Sequence, residues 1–279
     1  MVRYLNLGCG SRYHSGWINI DIVPAGPGVI AHDLRQGIPL ADNSCEAVYH
    51  SHVLEHLRRP EALQLLRECY RVLKPGGILR VAIPDLERIC RIYLEKLEAA
   101  LKSDSARGDY DWMMIELYDQ AVREQTGGEM REFLISQSAP NEAFVYERIG
   151  EEGREIIHSD NHVTARSRTR SANPLISLRF RFDSIMNRCV KVLLRLMRGK
   201  PAVRAQEIGA FRLGGEVHQW MYDRYSLARL LMAAGFQRPR QQSPTESQID
   251  NWSSFNLDTS PDGTIIKPDS LFMEATKPI

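Results

Sequence analysis

The sequence predicts an α/β protein: a doubly wound, mostly parallel sheet with a large, mainly helical insertion after the fifth strand. Three observations predict it. Over residues 1–85, short apolar, β-branched runs alternate with turns and one strongly helical segment. The residues suited to ligand chemistry (Gly8, Gly10, Asp21, Asp33, Ser51 to His56 and Asp85) fall at the ends of those runs, where sheets of this kind hold ligands. The rhythm breaks after Asp85 and returns near residue 216, so a second segment completes the same sheet.

The elements follow in order. Val2–Leu7 is a short apolar run stopped by glycine, a buried strand. Trp17–Val23 (WINIDIV) is β-branched and reads as the second strand, Val29–His32 as a short third, and Ala47–Ser51 as the fourth. Pro60–Leu73 carries Leu63, Leu66, Tyr70 and Leu73 at helical spacing, with proline suited to a first turn. Lys74-Pro75-Gly76-Gly77 reads as a turn, and Ile78–Ile83 as the fifth strand. Beyond it, Leu86–Leu101 and Tyr110–Gln125 look helical and polar, irregular stretches follow. Ser226–Ala234 is a short amphipathic helix stopped by Gly235, and Ser270–Thr276 is a last strand. The expected organisation is a core of residues 1–85 and 216–279, with 86–215 inserted.

Composition excludes several classes. At 279 residues, 43% hydrophobic and 25% charged, the chain has ordinary globular values and can bury a core. A net charge of +1 advertises no bulk affinity for nucleic acid. The cysteines Cys9, Cys45, Cys69, Cys90 and Cys189 are scattered, with no CxxC, as expected of free thiols in a reducing compartment. No apolar run reaches the roughly 20 residues of a membrane span. No basic region followed by an apolar one marks a secretory signal, so a cytoplasmic location is expected.

The Gly8-Cys9-Gly10 turn closes the first strand. Glycines there let backbone N–H groups approach a ligand. A dinucleotide fingerprint would need a third glycine where Tyr13 stands, and a helix to receive the pyrophosphate. Only Ser11–Gly16 separates the turn from Trp17, so an NAD-binding oxidoreductase is disfavoured. A nucleoside cofactor without phosphate fits better. Asp21, ending the second strand, can accept two ribose hydroxyls, and Asp33, after the third, can meet an adenine amino group.

The segments LNLGCG (5–10), NID (19–21), HDL (32–34), CEAVYHSHVLEHL (45–57) and RVLKPGGILRVAIPD (71–85) resemble a class I S-adenosylmethionine-dependent methyltransferase of the broad type 11 kind. HQWMYDRYSLARLLMAAGF (218–236) and SLFMEATKP (270–278) resemble the family's later helix and last strand. About half of the chain is covered. The resemblance implies a Rossmann-like methyltransferase fold with S-adenosyl-L-methionine as cofactor. It implies cofactor contacts from Gly8, Cys9, Gly10, Asp21, Ile22, Asp33, Leu34 and Ser51. Within the family it is similar to a subgroup associated with surface-polysaccharide and lipopolysaccharide biosynthesis, which is analogy only. The departure is the missing helix between the first two strands, which leaves the cofactor's methionine carboxylate to backbone N–H groups, Arg12 or the insertion.

His50, Ser51, His52, Glu55 and His56 cluster where the fourth strand ends. Methyl transfer needs the acceptor positioned and water excluded. A hydroxyl or amine acceptor must also lose a proton, which suits a histidine. His52 or His56 is therefore the expected base, with Glu55 orienting it; the alternative is that the segment lines the cofactor pocket. Three histidines in seven residues invite a metal, but no acid completes a set by spacing and methyl transfer needs none, so no metal is expected. Asp85 caps the next helix or touches the acceptor. His218, Trp220 and Tyr222 face the acceptor or form a packed aromatic hinge. His158 and His162 read as a surface loop.

Residues 86–165 hold 17 Asp/Glu against 9 Lys/Arg, whereas 166–204 hold 11 Lys/Arg and one acid, Asp183. In the basic part Ile185, Cys189, Val192, Leu193 and Leu196 make an apolar face, and Arg188, Lys191, Arg195 and Arg198 a basic one. Such a helix over 179–200 either lies on an anionic membrane or packs on the acidic half, in the same subunit or a partner; an oligomer is compatible with either. No aromatic interleaving supports single-stranded nucleic acid. The insertion is the expected acceptor-recognising lid. Two function classes result: a methyltransferase acting on an O or N atom of a small-molecule or glycan-type acceptor, or a catalytically inactive scaffold that keeps the fold.

Overall fold

The computed structural model of the protein describes residues 3–135, 141–159 and 174–279. Its centre is a seven-stranded sheet in the order β3-β2-β1-β4-β5-β7-β6. β1 (Tyr4–Leu7), β2 (Ile18–Asp21), β3 (Val29–Ala31), β4 (Cys45–Ser51) and β5 (Leu73–Pro84) are parallel. β7 (Ser270–Thr276) runs antiparallel to both β5 and β6 (Gln237–Gln242).

The chain lays β2 and β3 on one side of β1, then crosses back to lay β4 and β5 on the other. The connections leaving the carboxyl ends of β1 and β4 therefore run to opposite sides, the switch point in whose crevice sheets of this kind hold ligands. Gly8 leaves one lip of it and His52 the other. The predicted α/β class, doubly wound sheet and helices after the fifth strand are all present.

Burial explains the strands. Leu5, Leu7, Ile20, Val48, Leu79 and Val81 are fully buried, as strands covered on both faces require. α1 (Arg59–Val72) presents Ala62, Leu65, Leu66, Cys69 and Val72 to one face. α7 (Arg224–Ala233), capped by the Asp223 side chain, adds Leu227 and Leu231. On the other face Trp17, Tyr49, Ile249, Trp252 and Leu257 form a separate aromatic cluster. Arg80 is buried beneath it, paired with Asp258 and Glu274.

Two elements differ from the sequence expectation. The Lys74–Gly77 turn is absorbed into β5, whose pairing with β4 shifts register between Cys45 and Ala47. Gly76 has φ +77° there, and a Cβ on Gly77 would lie 2.8 Å from the Lys74 carbonyl, so the glycines permit a bulge rather than a hairpin. β6 (QRPRQQ) carried no apolar signal. It is an edge strand with proline, the position where polar residues and proline are tolerated.

Between β5 and α7 run α2 (Leu86–Ala100), α3 (Arg107–Val122), α4 (Gly128–Ile135), α5 (Glu142–Ser159) and α6 (Pro174–Arg212). Ile89, Trp112, Met113, Leu134 and Val145 give α2 to α5 their own core. α6 bends at Gly199 (φ +76°), just before Pro201. Along it Val192, Leu193, Leu196 and Met197 are exposed. His162 and the side chains of His158, Ile185, Arg188 and Cys189 lie outside the described residues. No described helix is long and apolar enough to cross a membrane.

Candidate active site

The first lip of the crevice is the glycine turn. Gly8 and Gly10 have φ +62° and +51°, the left-handed region that favours glycine. A Cβ on Gly8 would stand 2.5 Å from Val53 Cγ2, so glycine lets β1 and the segment after β4 pass in contact. Gly8 N donates to the Ile20 carbonyl. Asp21, half-buried at the end of β2, accepts from Gly10 N at 2.8 Å and from Val23 N at 2.9 Å. The carboxylate is thus locked across the turn, with its position fixed by backbone alone. No helix intervenes between β1 and β2, as the sequence indicates.

The remaining cofactor candidates surround this turn unevenly. Cys9 is buried, and its thiol is pushed up to about 11 by burial, with the Asp21 charge adding to it; it is no nucleophile. Ile22 is exposed, so its side chain is free to cover a ligand. Asp33 caps a short 3-10 turn, Leu34–Gln36, accepting from Arg35 N, and it is forked by the Arg35 guanidinium. That pairing holds its carboxyl below the usual range. In this arrangement Asp33 meets Arg35. Leu34 packs against the main core, and Ser51 sits half-buried at the end of β4.

The second lip is different in kind. β4 ends at Ser51, and His52 turns the chain with φ +53°, a costly conformation for a non-glycine residue. Its ring is held at both nitrogens: Nδ1 stands 3.1 Å from Glu55 Oε1, and Nε2 meets Ser270 Oγ at 2.9 Å. A 3-10 turn, Leu54–His56, then buries Glu55 completely. The Glu55 carbonyl accepts from Gln219 N at 2.6 Å and Trp220 N at 3.2 Å, which pins the segment carrying His218 directly over it. The His56 and His218 rings meet edge to face with centroids 4.8 Å apart.

Many polar atoms in this cluster have no hydrogen-bond partner: Glu55 Oε2, Nδ1 of His56, Nδ1 of His218, the Tyr222 hydroxyl and both nitrogens of neighbouring His50, while Glu55 Oε1 faces His52 alone. The Val217 backbone lies beside the His56 ring. Burial pushes the His218 imidazole down to about 3 and His50 to about 4, against the pull of Glu55. His56 is lowered for the same reason. Burial would raise Glu55, but the imidazoles of His52, His56 and His218 outweigh it and hold the carboxyl at about 2. Glu55 is thus favoured as the carboxylate, while burial favours the neutral form of His56 and His218.

The fold brings His52, Glu55, His56, His218 and Tyr222 together, and sets Asp85 apart as the N-cap of α2, accepting from Arg88 N at 3.1 Å. Tyr222 bridges to Asp85 through backbone and is buried, whereas Trp220 is exposed, with Arg59 stacked 4.8 Å from its ring centroid. Sequence spacing did not reveal Val53, Arg59, Ser270 or the Val217 backbone as parts of this site. Arg59, Ser270 and Val217 act through contacts between distant segments, whereas His52, Glu55 and His56 gave a local signal and His218 and Tyr222 one of their own.

Residues 11–81 match the family model described as "Methyltransferase domain". A protein of Mycolicibacterium smegmatis named "Probable S-adenosylmethionine-dependent methyltransferase" is 40% identical over 57 residues, 19% of this chain and 21% of the relative. The chain thus matches about a fifth of the length of that curated relative. Among solved structures, a SAM-dependent methyltransferase from Archaeoglobus fulgidus aligns over 99% of this chain and 86% of its own. Its identity is 13% and its TM-score 0.39. One from Thermotoga maritima aligns over 99% and 83%, at 12% identity and a TM-score of 0.37.

Proposed function

We propose that the protein is an S-adenosylmethionine-dependent methyltransferase that acts on an O or N atom of a small-molecule or glycan-type acceptor. The observation that carries the reading is Asp21: a carboxylate at the carboxyl end of β2, fixed by Gly10 N at the topological switch point of a seven-stranded sheet. That arrangement suits ribose hydroxyls. Bound S-adenosylmethionine supplies an electrophilic methyl on a sulfonium. Gly8 and Gly10 leave room for its close approach to backbone, Asp21 takes the ribose, and Ile22, Asp33, Leu34 and Ser51 border the adenine side.

The chain's remaining work is to place the acceptor and take its proton. Asp85, Trp220 and Tyr222 border the acceptor side, and the helices of 86–215 cover it as a lid. Proton removal falls to the His52–Glu55–His56 group. His52 has both nitrogens engaged, which leaves the unpartnered Nδ1 of His56 as the base.

The test is calorimetric titration of S-adenosylhomocysteine into wild type and Asp21→Ala, with NAD as the control. Binding to wild type that collapses in Asp21→Ala supports the reading. No binding to folded wild type overturns it in favour of a scaffold role.

For 179–200, the exposed Val192, Leu193, Leu196 and Met197 beside Arg195 and Arg198 favour contact with an anionic surface. Arg204 pairs with Glu124 and Lys191 with Glu207, so part of the basic charge is internally matched. Sedimentation with anionic and neutral vesicles separates the alternatives: retention on anionic vesicles alone supports membrane contact.

A further inference from the structure

We propose that Glu55, His56 and His218 form a binding site for a divalent transition-metal ion, with His52 as the residue that orients the carboxylate.

The geometry points there first. One donor atom from each of the three residues lies within 4.8 Å of the other two, and no other group of three such donors is found among the described residues. Metal–ligand bonds of about 2.0–2.2 Å require the donors to draw together by roughly an ångström, a movement that side-chain torsions supply. Two imidazoles and a carboxylate are a donor set for Zn²⁺ and its neighbours, and leave coordination positions open.

The second observation is the unmet polarity. Glu55 is fully buried, and only its Oε1 has a neighbour, His52 Nδ1; its Oε2 and Nδ1 of both His56 and His218 have no hydrogen-bond partner. Buried polar groups are ordinarily satisfied, because each orphan carries its full desolvation cost. Here the orphans converge on one another, and each imidazole offers a lone pair in the tautomer that carries its proton on the other nitrogen. A cation within reach of a carboxylate oxygen and two such nitrogens would satisfy all three at once.

The surroundings are organised as they are around a metal. The Val217 backbone lies beside the His56 ring and favours a proton on it, the kind of backbone support that orients a ligating histidine. His52 links Glu55 Oε1 to Ser270 Oγ, a support relay behind the carboxylate. The two backbone bonds onto the Glu55 carbonyl join both ligand-bearing segments before any ion arrives, so the site is largely preformed.

The ion site does not depend on the methyltransferase reading. Its use does: on that reading an acceptor hydroxyl occupies an open position and is acidified by the ion, and His56 is then a ligand and not the base.

The experiment is calorimetric titration of Zn²⁺ and Co²⁺ into chelator-treated protein, with Mg²⁺ as the hard-cation control. Wild type is compared with Glu55→Gln, His218→Asn and His52→Asn, and the Co²⁺ spectrum is recorded. The expected result is one Zn²⁺ or Co²⁺ per chain in wild type and loss of that site in Glu55→Gln and His218→Asn. His52→Asn should bind about 10–100-fold more weakly, as for loss of an outer support. No binding to wild type, or binding unchanged in both Glu55→Gln and His218→Asn, overturns the proposal, as does Mg²⁺ binding equal to Zn²⁺. The two ligand variants lie on different segments, so if one does not fold the other carries the test. S-adenosylhomocysteine is titrated into the same preparations: cofactor without metal removes only the ion site, and metal without cofactor removes only the methyltransferase reading.

Discussion

The two lips of the crevice treat their polar groups in opposite ways. At the ends of β1 to β3, Asp21 and Asp33 are partly exposed, and each is partnered by nearby backbone or by Arg35. At the end of β4, Glu55 and His218 are buried, and Glu55 Oε2 and His218 Nδ1 lack hydrogen bonds. The first lip is satisfied without a ligand, so a ligand there must exchange one set of hydrogen bonds for another, and its gain is the difference between the two. The second carries the cost of burial with little compensation. The difference teaches that recognition at the first lip is a matter of shape and placement, whereas the second gains most from whatever completes it.

The largest expected effect breaks the first lip. Asp21→Ala should weaken S-adenosylhomocysteine by about 100-fold or more, since hydrogen bonds to a charged group contribute about 1.5–3 kcal/mol each. Calorimetry reads it directly, and an effect under threefold would remove Asp21 from the site. Gly8→Ala comes next. Its Cβ would overlap Val53, so both melting temperature and cofactor binding should fall; Gly8→Ala with Val53→Ala should recover part of each. The recovery is partial because the left-handed φ still costs roughly 1–2 kcal/mol.

The second lip is sharpened by acid. A histidine whose pKa is lowered on folding binds fewer protons folded than unfolded. His218 at about 3 and His50 at about 4, against 6.5 unfolded, therefore lend stability that is complete above about pH 6.5. It is lost progressively as pH falls toward 4 and 3. Glu55, at about 2 against 4.5, adds a loss that begins only below about pH 4.5. Melting temperature should fall steadily from pH 6.5 to 4, and His50→Leu should flatten the slope. A flat wild-type profile across that window would show the histidines to be hydrated and ordinary.

The smallest effect returns to the first lip. Asp33 is already held by Arg35, so Asp33→Asn should weaken S-adenosylhomocysteine by less than about tenfold. Arg35→Ala should leave binding the same or stronger. A loss as large as that of Asp21→Ala would reverse the ranking of the two carboxylates.

Legibility followed the same division. The glycine turn, Asp21 and Asp33 were readable because each sits at the end of an apolar run, and strand ends gather at one edge of a parallel sheet. Their common placement needs no tertiary detail. Asp33 shows the limit: spacing located it, but whether its charge is free depends on where Arg35 points. The strand β6 was invisible because an edge strand buries little and so leaves no apolar signature. The bulge at Lys74–Gly77 was read as a turn because the same glycines serve both geometries.

By itself, the sequence determined the sheet class, the positions of the first five strands along the chain, the C-terminal helix and strand, the absence of a helix before β2, and the placing of the glycine turn and Asp21 at strand ends. These follow from local periodicity and from chain breakers, which act over a few residues. Only the tertiary structure decided that Glu55 is fully buried with its Oε1 against His52 and that His218 stands against His56. It likewise decided that Ser270 holds His52. The physical reason is that burial and the loss of hydrogen-bond partners are properties of how distant segments close on one another, and the segments here are more than 150 residues apart.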